Sequence, residues 1–156
     1  MLKTRNKLCG SSRGFTLIEI LVVIGIVAVL ATVVLVAINP SRQFMLARDT
    51  QRLSNVNSIL NAVGQNISEN KGVFTCNDVP YQIPATSTEI SSAGANIAPC
   101  IVPKYLSSLP YDPSALGAIF TSLDDYNSKY VIYQDQNGRI TASSTGEITK
   151  SISVTR

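Results

Sequence analysis

The sequence predicts an α+β protein in which a long N-terminal α-helix, membrane-spanning in its first half and amphipathic in its second, packs on a small C-terminal antiparallel β-sheet head. Three observations predict it. Phe15 to Ile38 is an apolar run with one ionisable residue, Glu19. Leu46 to Ile67 carries apolar residues at helical spacing. Between Lys129 and Thr155, β-branched and aromatic segments flank an Asn-Gly turn signal.

The apolar run of 24 residues spans about 36 Å as a helix, enough to cross a hydrocarbon core of roughly 30 Å with some tilt. Its many Val and Ile residues cost little there, because a bilayer forces every backbone group to bond within its own helix. Ahead of it lie Lys3, Arg5, Lys7 and Arg13 with no acid, while the rest of the chain has nine basic and ten acidic side chains. The net charge of +3 is therefore concentrated before the run. The positive-inside rule keeps that end in the cytoplasm and puts everything after Pro40 on the far side of a single-pass protein. The weakly acidic remainder offers no basic patch, so no specific nucleic-acid partner is evident. The chain has no histidine, which removes His-dependent nucleophile activation and the commonest zinc ligand. Phosphate-cradling glycine loops are absent, and an enzyme reading would rest on Asp124 and Asp125 alone; no catalytic residues are expected. A secretory signal peptide would have a shorter apolar run without a carboxylate. Glu19 is costly in a membrane, by up to roughly 2.5–3.5 kcal/mol at a helix centre and less near its end, so it calls for a partner. Gly25 has no glycine four residues away and does not form the usual helix-dimer motif.

The string Arg13-Gly14-Phe15-Thr16-Leu17-Ile18-Glu19, behind a basic leader and opening a spanning helix, closely resembles the class III signal of type IV pilins and type II secretion pseudopilins. The resemblance implies that a prepilin peptidase cuts between Gly14 and Phe15 and that Phe15 is then N-methylated. It implies that Glu19 pairs with the amine of a neighbouring subunit during assembly, which also answers the charge-burial problem. The expected protein is a structural subunit of a homopolymeric type IV pilus, with the peptidase, a membrane platform protein and an assembly ATPase as partners. It would stand in the cytoplasmic membrane before assembly and in a surface or periplasmic filament afterwards. Adhesion, twitching motility and DNA uptake are all compatible roles. The domain reading is a cleaved leader at 1–14, a transmembrane and filament-core helix at 15–38, an amphipathic half at 39–72 and an extracytoplasmic head at 73–156. The alternatives are a major pseudopilin of a type II secretion or competence system and, in another class, a membrane-anchored binding module that never polymerises. The last leaves Glu19 unexplained.

Asn39-Pro40 predicts a kink or break, since proline lacks the N–H that continues a helix. Beyond it Leu46, Leu53, Val56, Leu60, Val63 and Ile67 form one face with Asp49 as its polar member, and Arg48, Arg52, Asn55, Asn61 and Gln65 point elsewhere. Asn70-Lys71-Gly72 is the expected stop. Asn66-Ile67-Ser68 matches a glycosylation acceptor but falls on this helix, so it reads as a chance match. Residues 73–116 read as a long loop with short strand-like pieces at Tyr81–Ile83 and Ile101–Tyr105. Cys76 and Cys100, both beyond the membrane, read as a disulfide, with two free thiols as the other reading; Cys9 lies in the leader. Lys129–Gln134 and Arg139–Ser143 form a hairpin around Asn137-Gly138, a type I′ signature, and Glu147–Thr155 adds a third strand with Ile148, Ile152 and Val154 on one side.

Leu109-Pro110-Tyr111-Asp112-Pro113 is similar to a segment of major pseudopilins whose following loop binds calcium. That resemblance makes Asp124, Asp125 and Asn127 calcium candidates. The family's glycine-rich, acidic C-terminal segment is missing, and acid pairs in turns are ordinarily solvated, so no cofactor is expected. The same segment leans towards a pseudopilin, whereas the disulfide-closed loop leans towards a pilin.

Overall fold

The computed structural model describes residues 14–156, so the expected leader, Cys9 included, lies outside the described residues apart from Gly14. The chain divides into two units after Pro40.

The first unit is α1 (Leu17–Ile38). It buries none of its residues and, Glu19 apart, is apolar all round rather than along one stripe. Its mean hydropathy is 3.3, and it is the one helix among the described residues long and apolar enough to cross a membrane. The Thr32 hydroxyl donates to the Ala28 carbonyl at 2.9 Å, which satisfies that polar group inside the helix, as an apolar solvent demands. Asn39 caps the C-terminus in the left-handed region, φ 47°, a conformation asparagine tolerates better than most residues. The next helix opens at Pro40, where the missing N–H would have had no partner. The expected break thus falls between Ile38 and Pro40.

The second unit, from Ser41, opens with all but the first residue of α2 (Pro40–Glu69), which ends where Lys71 and Gly72 take positive φ and the Gly72 N–H donates to the Ile67 carbonyl. A two-stranded ribbon follows, β1 (Thr75–Cys76) and β2 (Val79–Pro80), then β3 (Thr88–Ser91), a single turn α3 (Ala98–Ile101) and β4 (Ile119–Phe120). The chain finishes with β5 (Tyr126–Gln134), β6 (Ile140–Ser144) and β7 (Ile152–Thr155). The main sheet is antiparallel in the order β3-β5-β6-β7, with β4 also paired to β5. Tyr126, Ser128, Tyr130 and Ile132 alternate inward along β5. Tyr126, Tyr130 and Ile132 join Val56, Ile59, Leu60 and Val63 of α2, Ile90 of β3, Ile101 of α3 and the loop residues Ile97 and Leu109 in one core. This is the α+β architecture of helix and antiparallel sheet.

Several local expectations are corrected. The inward face of α2 is Asp49, Arg52, Val56, Ile59, Leu60, Val63 and Asn66, whereas Leu46 and Leu53 are 36% and 44% exposed. Arg52, expected to point elsewhere, is buried at 3%. Ile101–Tyr105 is not a strand: Ile101 closes α3 and the Tyr105 N–H donates back to the Ile101 carbonyl. The Tyr81–Ile83 strand falls instead at Val79–Pro80. The β5–β6 connection is not type I′, which needs positive φ at two central residues; only Gly138 has it, at 82°. Asp135 sets this turn instead, its Oδ1 accepting the N–H groups of Asn137 and Arg139. The last strand begins at Ile152 rather than Glu147, because residues 147–149 are drawn away to bind Asp49.

Candidate processing and assembly site

Gly14 and Phe15 precede α1 in non-helical conformation. Thr16 is the N-cap, with extended backbone at φ −82° and ψ 150°. Its hydroxyl accepts the Glu19 N–H at 3.2 Å, and its own N–H reaches the Glu19 carboxylate at 3.4 Å. This is a reciprocal capping box, satisfying two donors that a helix start would otherwise leave orphaned. The Thr-x-x-Glu spacing was legible in the sequence as such a signal, but Glu19 was read there only as an assembly residue. The box turns the carboxylate back towards the N-terminal end of the helix, beside the backbone of the residue that follows Phe15. A Cβ added to Gly14 would meet nothing within 4 Å, and Gly14 is not at positive φ. Nothing within the described chain therefore requires glycine there.

In the head, the sequence reading missed a charged cluster. The Arg52 guanidinium donates to Asp112 (Nε to Oδ2, 2.7 Å; Nη2 to Oδ1, 3.0 Å), to Asp49 at 2.8 Å and to the Ser114 hydroxyl at 2.7 Å. Glu147 lies 3.1 Å from it and also takes the half-exposed Arg48. Asp49 accepts in addition the backbone N–H groups of Glu147, Ile148 and Thr149. One helical turn thus fastens both the Asp112 loop and the segment before β7. Burial pushes the Asp49 pKa up, but the three N–H donors and Arg52 outweigh it and hold the group well below the usual carboxylate range. Asp112 is lowered in the same way, burial being outweighed by Arg52 and the N–H groups of Ser114 and Ala115. Arg48, followed by Ser114 and Arg52, brings Glu147 down to about 2.

These shifts carry a pH dependence. Folded-state values lie below unfolded ones, so the stability they supply is complete above the unfolded carboxylate pKa and is lost as pH falls through the folded values. The urea midpoint of the full chain in detergent should be nearly flat above about pH 5 and fall steadily towards about pH 2, the value reached by Glu147. Asp49→Asn should be less stable near neutrality and lose less on acidification. A wild-type midpoint unchanged across that window would contradict the cluster's role.

The sequon residue Asn66 is buried, its amide donating to the carbonyls of Thr75 and Cys100 and its Oδ1 accepting the Thr75 N–H. It ties α2 to both sides of the Cys76–Cys100 disulfide, which leaves its amide no access to solvent chemistry. Asp124 and Asp125 lie in the exposed turn before β5. Asn127 donates its amide to Glu89, and its Oδ1 accepts the Lys129 N–H, so its carbonyl oxygen is already engaged. Among the described residues, no group of three or more His, Cys, Asp or Glu is placed to hold a metal ion.

No curated protein and no solved structure matches the chain. A match comes from the segment that carries the capping box: residues 9–35 fit the family model of the prokaryotic N-terminal methylation motif, the class III signal of type IV pilins and pseudopilins.

Proposed function

We propose that the chain is a structural subunit of a type IV pilus, cut by a prepilin peptidase between Gly14 and Phe15, methylated at Phe15 and polymerised through α1. The observation that carries the reading is the methylation motif over residues 9–35 set on a helix with no buried face and a single carboxylate. The lack of any internal need for Gly14 supports an external one, recognition by a peptidase. Cleavage frees a cationic amine on Phe15. In an array of parallel helices this amine meets the Glu19 carboxylate of a neighbour at similar depth, and the two buried charges satisfy each other. The apolar helix then serves first as the anchor of a membrane pool, N-terminus inside, and later as filament core. A platform protein and an assembly ATPase supply the force. A major pseudopilin of a secretion or competence system is the second reading, favoured by Leu109-Pro110-Tyr111-Asp112-Pro113.

Mass spectrometry of the chain recovered from membranes tests the processing step. The expected N-terminal residue is N-methylated Phe15, and Gly14→Val should leave the chain at full length. A mature wild-type chain starting at Met1, or one cut near Ala37, would overturn the reading.

A further inference from the structure

The residues that open α2 are apolar and largely uncovered. Met45 is half-buried, and Leu46, 36% exposed, borders a groove with Leu53 and Ile152. Phe44, 64% exposed, and Ala47, three residues on, share a face turned away from the core. From Asp49 onward the helix engages its own head, and of the exposed residues Thr50, Gln51, Leu53 and Ser54 only Leu53 is apolar. Phe44 is thus a large aromatic group left in water at one end of a helix whose remainder is amphipathic. Such a group marks a contact with something outside the chain.

Its place in the chain says what that something is. Phe44 lies six residues beyond Ile38, the last residue of the membrane-spanning α1. The link through Asn39 and the first turn of α2 allow a separation of at most roughly 14 Å, whatever direction α2 takes. The headgroup layer outside a hydrocarbon core is roughly 5 to 8 Å thick, which leaves the ring within reach of it. Phenylalanine is among the side chains that interfacial helices bury at that level. Between Glu19 and Asp49 the only charged residues are Arg42 and Arg48, so no acid on this stretch repels the phosphates. A protein partner would have to displace lipid already present at this depth.

We propose that the start of α2 is a lipid-contact surface, with Phe44 seated in the phospholipid headgroup layer of the leaflet from which α1 emerges. The inference rests on the membrane-anchor reading of α1. It adds a second, shallow contact to the spanning one, so a subunit leaving the membrane has to strip lipid from Phe44 as well as from α1.

The chain contains no tryptophan, so single substitutions report alone. Full-length Phe44→Trp, Val27→Trp and Leu116→Trp are reconstituted separately into vesicles of phosphatidylcholine and phosphatidylglycerol brominated either near the headgroup or near the bilayer centre. Phe44→Trp should be quenched several-fold more strongly by the shallow bromines than by the deep ones, and be shielded from aqueous acrylamide. Val27→Trp, in the middle of α1, should prefer the deep bromines, and Leu116→Trp, at a position 98% exposed in the head, should respond to acrylamide alone. If Phe44→Trp behaves like Leu116→Trp while Val27→Trp is quenched by lipid, the surface is overturned and the anchor stands. Shielding of Phe44→Trp from acrylamide without quenching by either lipid would overturn it in favour of a protein cover. No lipid quenching of Val27→Trp would remove the anchor reading and this inference with it.

Discussion

Arg52→Met should destabilise the head by about 3 kcal/mol or more, the cost of breaking a buried ion pair by removing one partner. Its guanidinium is the hub for Asp49, Asp112, Ser114 and Glu147, and it is 3% exposed. Without it Asp112 keeps only the Ser114 and Ala115 N–H groups and a long contact to the Ser144 hydroxyl, leaving a negative charge in a dry site. The loop at 112–115 and the segment at 147–149 would then lose their common anchor to α2. In the intact chain in detergent, the thermal midpoint should drop by about 10 °C or more. Arg48→Met is the control. That side chain also binds Glu147, but it is 34% exposed, where solvent screens the ion pair and its loss should cost little. Equal losses from the two variants would contradict the assignment of Arg52 as the hub.

This cluster also marks where local reading of the sequence fails. A hydrophobic stripe through Leu46, Leu53 and Val56 is a sound inference from periodicity, and its C-terminal part is correct. Its N-terminal part is displaced because Asp49 and Arg52 take the inward positions, and they do so only because Asp112 and the N–H groups of residues 147–149 meet them. Those partners lie 60 to 100 residues downstream, beyond any local pattern. The Asp49–Arg52 spacing of three and the aspartate of the Leu-Pro-Tyr-Asp-Pro segment were the available clues. β3 was missed for a similar reason: Thr-Glu-Ile-Ser has one apolar residue, and its strand conformation comes from pairing with β5. By contrast α1 was readable from composition alone. β5 and β6 were readable because their β-branched and aromatic residues coincide with the half-buried surface they occupy.

At the other end of the chain, the candidate site was legible residue by residue as a motif, while its geometry was not. Glu19 stands in a capping box with Thr16 in the single chain. On the proposed mechanism, the carboxylate has an internal donor while the subunit waits in the membrane and gains a charged donor on assembly, the Phe15 amine of a neighbour. The gain is the difference between a neutral and a charge-assisted hydrogen bond in a low-dielectric core, where such bonds are about twice as strong. Glu19→Ala takes the carboxylate acceptor away from both its donors but leaves the Thr16 hydroxyl to cap the helix, so α1 should persist at a cost near 1 kcal/mol or less. Cleavage should proceed, because the proposed scissile bond, between Gly14 and Phe15, does not involve the Glu19 side chain. Assembly should not, because each incoming amine is left buried and unpaired.

The most direct measurement is the incorporation of tagged Glu19→Ala subunits into filaments formed in the same cells by untagged wild-type chain, with the processed subunit in the membrane as reference. The account predicts processed Glu19→Ala in the membrane at normal amount and its share in the filament reduced about a hundredfold, as expected for loss of roughly 3 kcal/mol of buried charge pairing. Incorporation equal to that of tagged wild-type subunits would contradict the pairing of Glu19 with the Phe15 amine.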